Sequence, residues 1–197
     1  MKFENAWWRT YSKPYYWFEV TRRDDIGENL EARLNNKENW THSILKHMYP
    51  GDLVIHYDTK LKAIVGVSEV KNEYKIVSKN NKRHRVVKLN NYSKIQKVTL
   101  HQIQKKNDKI KDIIEDLKKR SKSKTYFPVS PSTSKRKSLS VNQVYACIVN
   151  QNFVDLFPKL NEALNSLREG KKLRKSTIII NTNSSDVPGG EILEKKV

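Results

Sequence analysis

The stretch GDLVIHYDTKLKAIVGVSEV, Gly51–Val70, decides the fold. In its first half, Leu53, Ile55 and Tyr57 alternate with Val54, His56 and Asp58, the two-residue period of a strand with two distinct faces. Asp58–Lys62 is polar enough to turn, and Ala63–Val70 supplies a second strand. Gly66 inside that strand predicts a bulge or the close approach of another backbone. Pro50-Gly51 stops whatever precedes. The apolar density of this hairpin predicts the centre of a sheet.

Before the hairpin, Met1–Tyr16 is aromatic and polar, with Trp7 and Trp8 as core, edge or stacking residues. Tyr15–Thr21, YYWFEVT, reads as a first strand with Trp17, Glu19 and Thr21 on one face. Arg22-Arg23 follow directly, either as a local ion pair with Asp24-Asp25 or as phosphate contacts beside a pocket. Glu28–Arg33 is weakly helical in composition. Ile44, Leu45 and Met48 have helical spacing, with Thr41 or Ser43 as cap and Trp40 where loop meets helix.

After the hairpin, Lys71–Val77 continues the sheet or leaves it. Ser78–Arg85 reads as a polar basic turn, and Val86–Leu89 and Ile95–Leu100 as short strands. Thr99 caps a helix over His101–Leu117, where Ile103, Ile110, Ile113, Ile114 and Leu117 keep helical spacing. Lys118–Lys124 is a charge run, and Tyr126–Ser134 a Pro/Ser loop. Lys135-Arg136-Lys137 then lead into one or two closing strands over Ser138–Val149. Phe153–Leu167 is a helix that Pro158 can divide. About six strands without regular crossover helices predict an α+β domain, a small twisted barrel flanked by two or three short helices.

The 197 residues carry 39 lysines and arginines against 21 acids, a net charge of +18. That balance points to a polyanion, nucleic acid before an anionic membrane; a solvated lysine-rich surface is the alternative. The single cysteine, Cys147, excludes an internal disulfide and a zinc knuckle, and its apolar neighbours make it a core residue. No apolar run has spanning length and no signal-peptide pattern occurs, so the expectation is a soluble, cytoplasmic chain. Phosphate-loop, GxSxG and HExxH patterns are absent, and the five histidines are scattered. No cofactor, metal site or enzymatic activity is expected.

Three segments resemble the PUA-like superfamily, most closely its EVE branch, with the YTH domain as a relative. They are YYWFEVTRR at 15–23, MYPGDLVIHYDTKLKAIVGVSEV at 48–70 and KRKSLSVNQV at 135–144. WTHS at 40–43 is similar to the segment where YTH domains carry the first tryptophan of their methyladenine cage. The resemblance covers roughly residues 15–145. It implies a compact β-barrel that binds a modified base beside the first strand. It further implies kinship with the N-terminal recognition domain of McrBC-type modification-dependent restriction GTPases, whose motor and nuclease lie elsewhere. The sequence departs from the YTH pattern in having no tryptophan after Trp40. Residues 1–175 are then the PUA-like, EVE-type domain, and 176–197 a linker or tail toward a missing domain.

The base-pocket candidates are Trp17, Thr21, Trp40, Thr41, His42, Ser43, Tyr57 and Asp58. The phosphate-binding candidates are Arg22, Arg23, Arg83, His84, Lys135, Arg136 and Lys137. Extracting a base costs a few kcal/mol, and stacking on one ring returns about 1–3 kcal/mol. Burying a methyl group adds only about 0.8 kcal/mol, so strong discrimination needs a tight pocket. The expected partner is modified duplex DNA with one flipped base, together with a GTPase motor in the full-length chain and a nuclease subunit. An RNA-binding PUA-like module and a protein-interaction domain with an incidental basic surface are the alternatives.

Overall fold

The computed structural model describes residues 15–34, 44–120, 127–133, 138–142 and 145–170. The chain divides into two compact units, Met1–Ala163 and Leu164–Val197. Of the second unit, the described residues 164–170 are helical. The boundary expected after residue 175 lies outside the described residues.

In the first unit the central hairpin is as expected. Strands β1 (Tyr16–Thr21), β2 (Asn29–Arg33), β3 (Leu53–Asp58), β4 (Ala63–Val70), β5 (Lys75–Lys79) and β6 (Lys82–Thr99) precede two helices, α1 (Leu100–Gln104) and α2 (Asn107–Arg120). Then come β7 (Val129–Ser130), β8 (Ser140–Val141), β9 (Ala146–Val149) and α3 (Gln151–Asp155). Residues 158–163 are again helical, so Pro158 does divide the last helical stretch. The main sheet runs β2-β6-β4-β3-β1-β9, with β5 added on β6; β7 and β8 form a separate pair. Among the described pairings, β1 and β3 alone run parallel.

The sheet curls into a half-barrel with an apolar interior. Trp17 and Val54 meet Leu30, Ala32, Val87 and Leu89 there, bringing both ends of the strand order onto one core. Across the seam between β2 and β9, the Glu31 N–H donates to the Tyr145 hydroxyl at 2.6 Å. On the outer face a second core forms around Phe153, whose ring packs edge-on against Phe18, Phe127 and Phe157. Each such buried ring contributes about 1.5–3 kcal/mol.

Five expectations are corrected. Glu28–Arg33 is not helical: Leu30 and Ala32 point inward from β2, and sheet pairing overrides the helix-favouring Glu, Ala and Arg. The Ser78–Arg85 turn shrinks to Asn80-Asn81, both at positive φ (49° and 57°), as a two-residue hairpin turn requires. Val86–Leu89 and Ile95–Leu100 belong to one 18-residue strand, which Asn91 kinks at φ 52°. The helix expected from His101 to Leu117 is two, broken at Lys105-Lys106. Thr99 does cap the first, in a reciprocal box with Gln102. Ile44–His47 forms only a 3-10 turn.

Candidate nucleic-acid interface

β1 and β3 run side by side in register, Glu19 beside His56 and Thr21 beside Asp58. Their inward side chains form a graded series from one end of the half-barrel to the other. At one end the Trp17 indole N–H donates to Asp52 at 2.9 Å, and the same carboxylate accepts the Tyr15 and Tyr49 N–H groups. In the middle, His56 Nδ1 lies 2.6 Å from Glu19 and its Nε2 2.7 Å from Ser68 Oγ, all three side chains buried. The Arg23 guanidinium closes the series on the other Glu19 oxygen at 3.3 Å and on the Asn29 carbonyl.

The Ser68–His56–Glu19 order is that of a nucleophilic relay. Ser68 is fully buried, however, so no substrate carbonyl reaches its Oγ. Here the chain satisfies polar groups inside the sheet.

Beyond Thr21 a cleft of about 620 Å3 opens between the ends of β1 and β3, α1 and the 138–142 segment. Val20, Leu100, Leu139 and Val141 give it apolar walls, and the Tyr57 and Tyr145 rings complete them. Tyr57 is held by stacking on Phe18 at 6.0 Å, and burial pushes its phenol above the usual range, with the Asp58 charge adding to the shift. Its hydroxyl has no hydrogen-bond partner among the described residues. Tyr145 is pushed higher still, by burial first and then by the Glu19 charge. Asn142 is already engaged: its amide donates to the Phe127 carbonyl at 2.8 Å and accepts from Ser130. Gln104 donates to the Leu139 carbonyl at 3.0 Å, which ties α1 to the facing wall. Arg22 and Lys62 bring two cations to the cleft, neither ion-paired among the described residues.

The structure sorts the candidates. Thr21, Tyr57 and Arg22 line the cleft. Trp17 does not: it is fully buried and its only donor is spent on Asp52, which makes it a core residue. Asp58 does not either; its carboxylate accepts the Lys60 and Leu61 N–H groups and closes the β3–β4 turn. Arg23 turns inward to Glu19 instead of facing a phosphate. His84 pairs with Glu31 at 2.8 Å, while Arg83 is exposed on β6, apart from the cleft. Trp40, Thr41, His42, Ser43, Lys135, Arg136 and Lys137 lie outside the described residues. Sequence reasoning missed Lys62, Ser138, Asn142 and Tyr145; only the polarity of Ser138–Asn142 within a strand-like run hinted at a wall.

Among the described residues no group of three or more potential metal ligands occurs, and no helix is long and apolar enough to cross a membrane.

No protein-family model matches the chain, and no curated protein matches it. Similar solved structures include a Pseudomonas putida protein at 13% identity, covering 74% of this chain and 98% of that one with a TM-score of 0.44. A hypothetical protein from Leishmania major is similar at 14% identity, 76% and 96% coverage and TM-score 0.44. The N-terminal domain of Staphylothermus marinus McrB is similar at 16% identity, 78% and 94% coverage and TM-score 0.39.

Proposed function

We propose that this chain is a PUA-like, EVE-type recognition module that binds DNA and takes a modified base into the cleft at the end of β1. The observation that carries the reading is one juxtaposition: a cleft of about 620 Å3, a Tyr57 hydroxyl and two cations, Arg22 and Lys62, none of the three paired among the described residues. A cleft of that volume suits a small organic ligand. The Tyr57 and Tyr145 rings offer apolar surface to a base, and the Tyr57 hydroxyl offers a hydrogen bond to its edge. Arg22 and Lys62 hold the flanking phosphates, which fixes position without reading sequence. The net charge of +18 and the resemblance of residues 48–70 to the EVE core support the same reading. Trp40 stays in it as a proposed stacking partner. On this reading the chain binds and does not catalyse; a GTPase motor and a nuclease in other domains or subunits do the work on DNA.

The test is a titration of matched duplexes: unmodified, N6-methyladenine, 5-methylcytosine and 5-hydroxymethylcytosine, with RNA of the same sequence alongside. Preference for one modified duplex is expected. Tyr57→Phe keeps the ring and loses one hydrogen bond, so the preference falls by roughly 2- to 10-fold while unmodified DNA binds as before. Equal binding to every duplex would remove the base-reading role. No binding at low salt would remove nucleic acid as the partner.

A further inference from the structure

The strongest unassigned feature is the hairpin of β5 and β6. Between Lys71 and Lys88 it carries seven lysines and arginines and one acid, Glu73. All of β5 is exposed, including Ile76 and Val77 at 46% and 38%. The Asn80-Asn81 turn makes the tip narrow, as only two residues join the strands. The root is braced: β2 pairs with β6 from His84 to Lys88, and the Leu34 N–H donates to the Arg83 carbonyl at 2.8 Å. The Arg85 guanidinium also lies over the Tyr74 ring, 5.5 Å from its centre.

At the tip, Lys79 and Lys82 are direct cross-strand partners. Like charges in that position oppose pairing. Glu31 partly offsets Lys79 at 3.5 Å, but Lys82 and Arg83 have no acidic partner among the described residues. Lysines on an edge strand also guard against aggregation. That role needs no cations on the inner strand β6 and is weakened by exposed Ile76 and Val77 on the edge itself.

We infer that the β5–β6 hairpin is a ribbon that enters the major groove of duplex DNA. Lys79, Lys82 and Arg83 sit against phosphates, and Asn80-Asn81 are carried toward the base edges. A B-form major groove, about 12 Å wide, admits a two-stranded ribbon, whereas the deep, narrow groove of A-form RNA does not. The inference rests on the nucleic-acid reading above and deepens it, naming double-stranded DNA as the form bound.

The experiment measures binding of the full chain to a short unmodified DNA duplex and to an RNA duplex of the same sequence, across a salt series. Wild type, Lys82→Glu and Lys82→Glu/Arg83→Glu are compared. DNA is expected to bind more tightly than the RNA duplex. The double variant should lose roughly tenfold or more in affinity near 100 mM salt, and its salt slope should flatten by about 2. Lys82→Glu places opposite charges across from Lys79, so its melting temperature should hold or rise, separating lost binding from lost folding. An unchanged affinity and slope in the double variant would overturn the ribbon while leaving the cleft reading standing, as would equal binding of the RNA duplex. A wild-type chain that binds neither duplex would overturn both.

Discussion

Glu19 Oε2 stands 2.6 Å from His56 Nδ1 across the parallel pair of β1 and β3, with both side chains fully buried. Ser68 takes the other ring nitrogen, so each member of the series depends on the next. His56→Ala removes the link and leaves the glutamate and the serine buried without it. The expected loss is about 2–6 kcal/mol, since two buried polar groups each lose a partner at about 1–3 kcal/mol. Ser68→Ala removes one hydrogen bond only, and about 1–3 kcal/mol is expected. Urea unfolding of the two variants measures the order; Ser68→Ala costing more than His56→Ala would refute it.

Gly27 and Gly66 together form the seat of Tyr92. A Cβ on Gly66 would lie 2.5 Å from Tyr92 Cε2, and one on Gly27 would lie 2.3 Å from Cδ2. The two glycines differ in a way that can be measured. Gly66 meets the far end of the ring of Tyr92, a residue 41% exposed. Gly27 meets the ring near its own Cβ and also has φ +92°, where a side chain is strained. Gly66→Ala should therefore be largely rescued by Tyr92→Ala, whereas Gly27→Ala should keep a residual cost of about 1–2 kcal/mol in the double variant. Thermal melts of the four variants decide it, and full rescue of both would show that the backbone at Gly27 carries no strain.

The central hairpin was legible because its apolar density coincides with burial: β3 is buried at every position, and only His56 and Asp58 break the apolar pattern. Gly66 was legible as irregular, and the β4–β6 register does shift beside it. What made glycine necessary there, the Tyr92 ring, comes from 26 residues later and leaves no local trace. β2 was illegible for the opposite reason, since its residues favour helix and only pairing with β6 makes them a strand. Among the site candidates, Trp17 and Arg23 were misread because residue type does not say which way a side chain is engaged. A tryptophan bonded to Asp52 and an arginine bonded to Glu19 look in sequence like a stacking wall and a phosphate contact. Tyr57, a base-pocket candidate, lies beside Val20 on the cleft because the parallel register of β1 and β3 pairs the two, which alternation within one strand does not reveal.

Cys147 gives a probe of global opening. Its side chain is 1% exposed on β9, and burial pushes its thiol far above the ordinary range. A raised thiol pKa means less thiolate at any given pH, and the thiolate is the reactive form. Aromatic disulfide reagents should leave the folded chain unmodified near pH 8 and react only as it unfolds. The labelling rate should rise with urea along the same curve as circular dichroism. Fast labelling in native buffer would show that β9 opens by itself.

The tip of the basic hairpin should open separately from the rest of the sheet. Asn80 and Asn81 both hold positive φ, a region that alanine enters at a cost of about 1–2 kcal/mol per residue. β5 pairs with β6 alone and buries none of its residues, so among the described residues only the Glu31–Lys79 ion pair adds to its hold once the turn is strained. β6 is held independently by β2 from His84 onward. Asn80→Ala/Asn81→Ala should thus speed amide exchange in Lys75–Lys79 by tenfold or more, since about 1.4 kcal/mol is tenfold, while exchange in Leu53–Asp58 stays unchanged. Asn81→Gly should slow exchange at the same β5 amides, because glycine carries no Cβ penalty there. Equal acceleration in β3 and β5 would mean that the hairpin and the central sheet open as one unit. The ribbon would then melt only with the core.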